Sequence, residues 1–344
     1  MILFVTNREI LNPGTDHEEV RVDGLENAGS DLRFGEYIYT GNILEGRFSL
    51  FPDPVKEEEL LYTGLGSTRP EELKGSARFF KLLYDCMVNS DEDKNDVLLF
   101  IHGFNSNLDT VRENITALHK RYVEPEDSPV GHIVVFTWPG RTHNLPLHYR
   151  DDRDDAIRSG IALGRGILKT VQFLSKFLGR DENKPCDRKV HLLLHSMGHR
   201  VFKHAMLELN KERIPKLQLF EEIICMAGDV DYDIFEKEYA FYSLIDMGSR
   251  VHIYYHKKDR VLDISKYTKN FTNRLGKYGR RYIEDKMLDV FDYDVTATKD
   301  DDSYGFREEA LNHWYYYTST EVVTDVIGVM NGKASVFTGN YKNQ

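Results

Sequence analysis

Four short apolar runs constrain this chain more than any other feature: DVLLFI (96–101), HIVVFTW (132–138), KVHLLLH (189–195) and EEIICMAG (221–228). Each is apolar along most of its length rather than at alternate positions, as a strand buried on both faces requires. Helical spacing of apolar residues fills the gaps. Leu108, Val111, Ile115 and Leu118 mark one helix. Ile157, Ile161, Leu168, Val171 and Leu174 mark a long one near 152–178, and a third runs near 198–212. RVHIYYH (250–256) and KMLDVFDYDV (286–295) add strands, and a helix near 319–330 precedes a polar tail. Strands alternating with helices predict an α/β fold, a mostly parallel central sheet with helices on both faces.

The segment before residue 96 differs. ILFVTN (2–7) and FGEYIYTG (34–41) read as strands, and a helix is expected over 69–88. Thr68 and Glu71 suggest a capping box there, with Pro70 in the first turn. Leu73, Ala77, Phe80, Tyr84 and Met87 form its apolar stripe. We read 1–95 as an N-terminal strand extension of the sheet, 96–330 as the core and 331–344 as a polar tail, together one compact domain.

Open parallel sheets bind ligands at the carboxyl ends of their strands. The residues just beyond each strand therefore matter most. His195-Ser196-Met197-Gly198 follows a buried strand and opens a helix, the context of a nucleophile elbow, G-x-S-x-G. Gly198 meets the demand for a small residue two after the serine. Leu194 replaces the first glycine, and can be accommodated if the following helix stands slightly off. A serine in this position also simply caps a helix.

A nucleophilic serine needs a histidine base oriented by an acid. With an elbow serine the chain order is serine, acid, histidine. After Asp259 the chain has one histidine, His313, beyond the last strand. Asp259 is the favoured acid, with Asp231 and Asp263 as alternatives. An oxyanion hole is expected from the amides of Met197 and Phe104, the latter in the loop HGFNSN (102–107). His102, Gly103, Asn105, His195 and Trp138 are expected to line the site.

Other chemistries are less well supported. A net charge of −11 argues against general nucleic-acid binding. RLGKYGRRY (274–282) is the best basic patch, and it reads more readily as a solvated helix face. No apolar run approaches the roughly 20 residues of a membrane span, and the first residues do not read as a signal peptide. Cys86, Cys186 and Cys225 are far apart and odd in number, which suggests a reducing, cytoplasmic setting, with Cys225 in the core. The sequons at Asn114 and Asn270 then have no role. The aspartates of HYRDDRDDA (148–156) read as a helix start rather than a metal site. His195 and His199 are four apart, but a strand–helix junction separates them, and no zinc signature or nucleotide-binding loop appears. No metal or cofactor is expected. The aromatics of EKEYAFYSL (236–244) and HWYYY (313–317) read as core packing, 229–249 as a lid or pocket wall, and 298–306 as a mobile loop.

These motifs carry a resemblance. The chain resembles the alpha/beta-hydrolase superfamily, and within it a mainly bacterial family of uncharacterised hydrolases long classed as a domain of unknown function. The shared features are FVTNR (4–8), RFG (33–35), HGFN (102–105), TWPGR (137–141), Tyr149 and Asp152 with Ala156 and Ser159, HSMG (195–198), Asp259, and His313 with Tyr315. They span roughly 2–325. Leu194 and His199 depart from the pattern, where a small residue and Asn are commoner. The resemblance implies an alpha/beta-hydrolase fold and a Ser196–Asp259–His313 triad, with no substrate named. The expectation is a cytoplasmic serine hydrolase of an ester-type small-molecule substrate. The alternatives are a non-catalytic binding module, or an acyltransferase or amidase using the same triad.

Overall fold

The computed structural model describes residues 1–23, 28–53, 68–89, 94–140, 145–177, 187–211, 218–266, 272–282, 287–301 and 311–337. Cys186, the sequon at Asn270, most of the 298–306 loop and the end of the tail lie outside these residues.

The strands are β1 (Ile2–Thr6), β2 (Ile10–Leu11), β3 (Glu19–Val20), β4 (Arg33–Ile38), β5 (Arg47–Leu50), β6 (Asp96–Ile101), β7 (Val130–Thr137), β8 (Val190–His195), β9 (Phe220–Met226), β10 (Gly248–Tyr255) and β11 (Val290–Asp294). Nine of them form one sheet in the order β11-β10-β9-β8-β6-β7-β1-β4-β5. From β11 to β1 every neighbour is parallel; β4 and β5 then add an antiparallel edge. β2 and β3 pair with each other alone.

The helices are α1 (Gly75–Asn89), α2 (Leu108–Leu118), α3 (Leu145–Phe177), α4 (Gly198–Lys211), α5 (Arg260–Ser265), α6 (Leu275–Tyr278), α7 (Tyr315–Thr318) and α8 (Thr320–Met330). Alternate residues of the central strands feed two cores. Leu192, Leu194, Ile223, Cys225, Val251 and Ile253 pack with α3 and α4. Leu193, Ile224, Met226 and Tyr254 face the other way, towards α2 and α8. This is why the apolar runs are continuous: both faces of the sheet are covered.

Two helix starts differ from expectation. Pro70–Glu72 forms a separate 3-10 turn capped by Arg69 without a side-chain bond, and Leu73 is extended. Gly75 takes φ +48°, so α1 begins there and not at the expected capping box. α3 begins at Leu145, well before 152, with Pro146 tolerated in its first turn. Among the described residues no helix is long and apolar enough to cross a membrane.

A cavity of about 600 Å³ opens between the sheet and helices α1 and α3, lined by Phe34, Phe80, Val97, Phe173 and Val190 among others. It reaches the amino-terminal ends of the strands, whereas the residues described next lie at the carboxyl ends.

Candidate active site

Ser196 sits between β8 and α4 with φ +52°, a left-handed conformation that costs a side-chain-bearing residue roughly 1–2 kcal/mol. The surroundings hold it there. Its amide donates to Met226 O at 3.1 Å, and its carbonyl accepts from the amides of Asp229 (3.1 Å) and His199 (3.2 Å). The His199 ring adds a third bond, Nδ1 to the same oxygen at 3.0 Å, so Nδ1 carries the proton. The close approach falls at Gly198, where a Cβ would lie 2.4 Å from the Ile101 carbonyl oxygen. Leu194 is fully buried in register with Ile101 and Cys225 and packs in the α3–α4 core. The sharp turn is formed with leucine in place.

His313 follows the last strand and is buried. Its Nδ1–H donates to Asp259 Oδ2 at 2.7 Å. Asp259 is the N-cap of α5, and its Oδ1 accepts from the Leu262 amide at 2.9 Å. Burial pushes the Asp259 carboxyl above the usual range, and the facing imidazole opposes that push. The two loops are tied together by backbone as well. Arg260 N donates to Leu311 O at 3.1 Å, and Asn312 Nδ2 to Lys258 O at 3.3 Å. His195, beside Ser196, donates from Nε2 to His313 O at 3.1 Å, with the two rings 4.8 Å apart. That bond brings the histidine loop to the serine turn.

The alternative acids are engaged elsewhere. Asp231 pairs with Arg274 and Thr272, Asp263 with Lys277 at 2.5 Å, and Asp229 accepts from Ser265 at 2.5 Å.

The 102–107 loop lies against the serine. A Cβ on Gly103 would fall 2.8 Å from Ser196 Cβ, so only glycine permits this contact. His102 donates from Nδ1 to Gly103 O at 2.8 Å and accepts at Nε2 from the Trp138 amide at 3.2 Å. Trp138 stacks on it at 5.3 Å and returns a bond from Nε1 to His102 O at 3.1 Å. Asn105 takes φ +59°, and its amide is engaged by Asp152 Oδ2 at 3.1 Å. Phe104 is half-buried against the α3–α4 core, and Met197 is fully buried immediately before α4.

Residues that sequence reasoning left without a role hold this loop. Arg8, just beyond β1, donates from Nε to Thr137 Oγ1 at 2.9 Å and from Nη2 to Ser106 O at 2.5 Å. Asn7 reaches Ser159 on α3 at 2.9 Å. FVTNR and Asp152 were visible as motif matches, but nothing local says what they contact. Arg8→Ala is expected to destabilise the fold by about 3 kcal/mol, since it leaves buried acceptors without a charged donor; urea denaturation measures it.

Two expectations about charge are corrected. The aspartates of 148–156 do not sit at a helix start, because α3 begins earlier and has no acid in its first turn. Asp152 and Asp155 are buried and instead accept from the amides of Asn105 and Ala28. RLGKYGRRY is not a solvated face: Arg274, Lys277 and Arg280 are buried and paired with Asp231, Asp263 and Asp292. Acids far away in sequence supply the partners that make burial tolerable. Of the aromatics of 236–244 and 313–317, Phe241, Tyr315, Tyr316 and Tyr317 pack in the core, whereas Tyr239 is exposed.

Burial keeps several histidines neutral here. His102 is pushed down to about 3 and His199 to about 4, both chiefly by burial, and His195 is lowered well below 6.5 for the same reason. Each takes up its proton on unfolding. Stability from these groups is therefore present above about pH 6.5 and is lost as pH falls towards 4. The expected loss is about 1.4 kcal/mol per pH unit for each such histidine. Urea unfolding at pH 7 and pH 5 checks the sign and slope.

Residues 85–330, well over half of the chain, match the model of a family described as alpha/beta hydrolase of unknown function (DUF900). No curated protein matches the chain.

Proposed function

The chain belongs to this family of alpha/beta hydrolases of unknown function, and from that premise we propose that it is a serine hydrolase of ester-type substrates. The observation that carries the reading is the 2.7 Å bond from His313 Nδ1 to the buried Asp259, beside a serine held at positive φ.

In this reading Nδ1–H is committed to the carboxylate, so the Nε2 lone pair of His313 is the base. Ser196 Oγ attacks the carbonyl carbon as its proton passes to Nε2. The oxyanion takes hydrogen bonds from the amides of Met197 and Phe104, each worth roughly a hundred-fold in rate. The N-terminus of α4 adds a favourable field for negative charge. Collapse expels the alcohol with the proton from Nε2. Water then gives a proton to Nε2 and attacks the acyl-enzyme, releasing the acid and restoring the serine. Every proton in this cycle is carried by His313, and the substrate is a small acyl ester. The free thiols of Cys86 and Cys225 favour a cytoplasmic setting.

The test is labelling by a neutral fluorophosphonate, located by peptide mass spectrometry. Modification at Ser196, slowed at least a hundred-fold in His313→Ala, is the expected result. A folded wild-type protein that does not label would favour a binding module instead.

A further inference from the structure

Two cations on α4, the helix that follows the nucleophile turn, make no ion pair among the described residues. Arg200 lies in the first turn of α4, four residues after Ser196 in the chain. It is 8% exposed, and its Nε is buried with no hydrogen-bond partner. Lys203, one turn on, is half-buried. Among the described residues neither side chain makes an ion pair.

The nearby acids do not fill the gap. Asp231 is held by Arg274 and Thr272; Asp229 is held by Ser265 and lies 3.6 Å from Arg274; Asp152 accepts from the Asn105 amide. The cluster also connects to the elbow, because the Asp229 amide donates to Ser196 O at 3.1 Å. Burial first, then Arg200, Arg274 and Arg153 lower the Lys203 amine, with Asp231 opposing. His204 is pushed down to about 4 by burial and then by Lys203 and Arg200. A lysine can escape burial by losing its proton, but an arginine cannot, so a buried, unmatched guanidinium calls for an anion from outside.

We propose that Arg200 and Lys203 form an oxyanion-binding wall of the substrate site, so that the ester opened by Ser196 carries a carboxylate or phosphate on its acyl or leaving part. This rests on the hydrolase reading above and narrows its substrate class. The planar fork of arginine suits either group.

The test compares a matched pair of esters, p-nitrophenyl butyrate and mono-p-nitrophenyl glutarate. Wild type is expected to favour the glutarate ester at least ten-fold in kcat/KM. Arg200→Gln and Lys203→Gln are expected to bring that ratio towards one, chiefly through KM, with Arg200→Lys retaining part of it. Lys203 is only half-buried, so its variant carries the test if Arg200→Gln does not fold. A second arm needs no turnover: thermal melting of Ser196→Ala with glutarate or inorganic phosphate. A rise in Tm with one of them, lost when Lys203→Gln is added, supports the site and says which oxyanion it takes.

Fluorophosphonate labelling separates the two ideas. If Ser196 labels but the ester ratio is at or below one, or both Gln variants leave it unmoved, the anion wall is overturned. If Ser196 does not label while an anion still protects in a Lys203-dependent way, the anion site stands and the hydrolase reading falls. If neither anion raises Tm and the ratio is flat, the inference is wrong.

Discussion

Replacing Ser196 by alanine is expected to lower kcat for ester hydrolysis by about 10⁴-fold or more while leaving the protein folded. The separation of activity from folding follows from where the turn's bonds lie. Ser196 contributes its amide to Met226 O and its carbonyl to the Asp229 and His199 amides, and these bonds hold the positive φ without the hydroxyl. Alanine pays the same backbone strain as serine at that φ, so the change in stability should be small. Steady-state hydrolysis of an ester that wild type turns over, read beside a thermal melt, tests this. A Ser196→Ala protein that melts normally and keeps its rate within ten-fold would place the nucleophile elsewhere.

The second large effect is expected from Asp259→Asn, at about 10⁴-fold in kcat. The two carboxylate oxygens have separate tasks. Oδ1 caps α5 by accepting from Leu262 N at 2.9 Å, and Oδ2 faces His313 Nδ1 at 2.7 Å. Asparagine can keep the first with its oxygen, and then presents an NH₂ to the imidazole. The histidine must accept at Nδ1 and carry its proton on Nε2, where a base is needed. The cap is retained, so little stability should be lost. Asp259→Ala removes both bonds and should cost about 1–2 kcal/mol as well. Kinetics and denaturation of the two variants together distinguish a tautomer effect from a collapsed loop. An Asp259→Asn enzyme within ten-fold of wild type would mean that His313 is oriented by something else.

The legible part of this protein was local or periodic. Continuous apolar runs at 96, 132, 189 and 221 announced doubly buried strands, and all four are neighbours in the sheet, β6 to β9. Their alternation with helices implied parallel pairing, and parallel pairing implied looking at the carboxyl ends. His313 was singled out by chain order alone. Where reasoning stayed local it also erred. The Thr68 cap and the aspartates near 152 looked like helix starts because both fit the chemistry of a first turn. Gly75 at positive φ moved one start later, and Pro146 accompanied an earlier start for the other.

Sequence by itself determined the sheet, its covered faces and which strand ends to examine for a site, because side-chain period and strand order are written in near neighbours. It favoured Asp259 by its place after the penultimate strand but left Asp231 and Asp263 open, since each is an ordinary loop or cap aspartate. The tertiary structure decided that Asp259 faces His313, 54 residues away, while Arg274 and Lys277 engage the other two. It also decided that Leu194 is compatible with the elbow, that Arg8 holds the loop over the serine, and that Arg200 is buried without an ion-pair partner among the described residues. The physical reason is common to all of these. A charge's cost depends on what surrounds it after folding, and those surroundings are assembled from segments that sequence spacing does not relate.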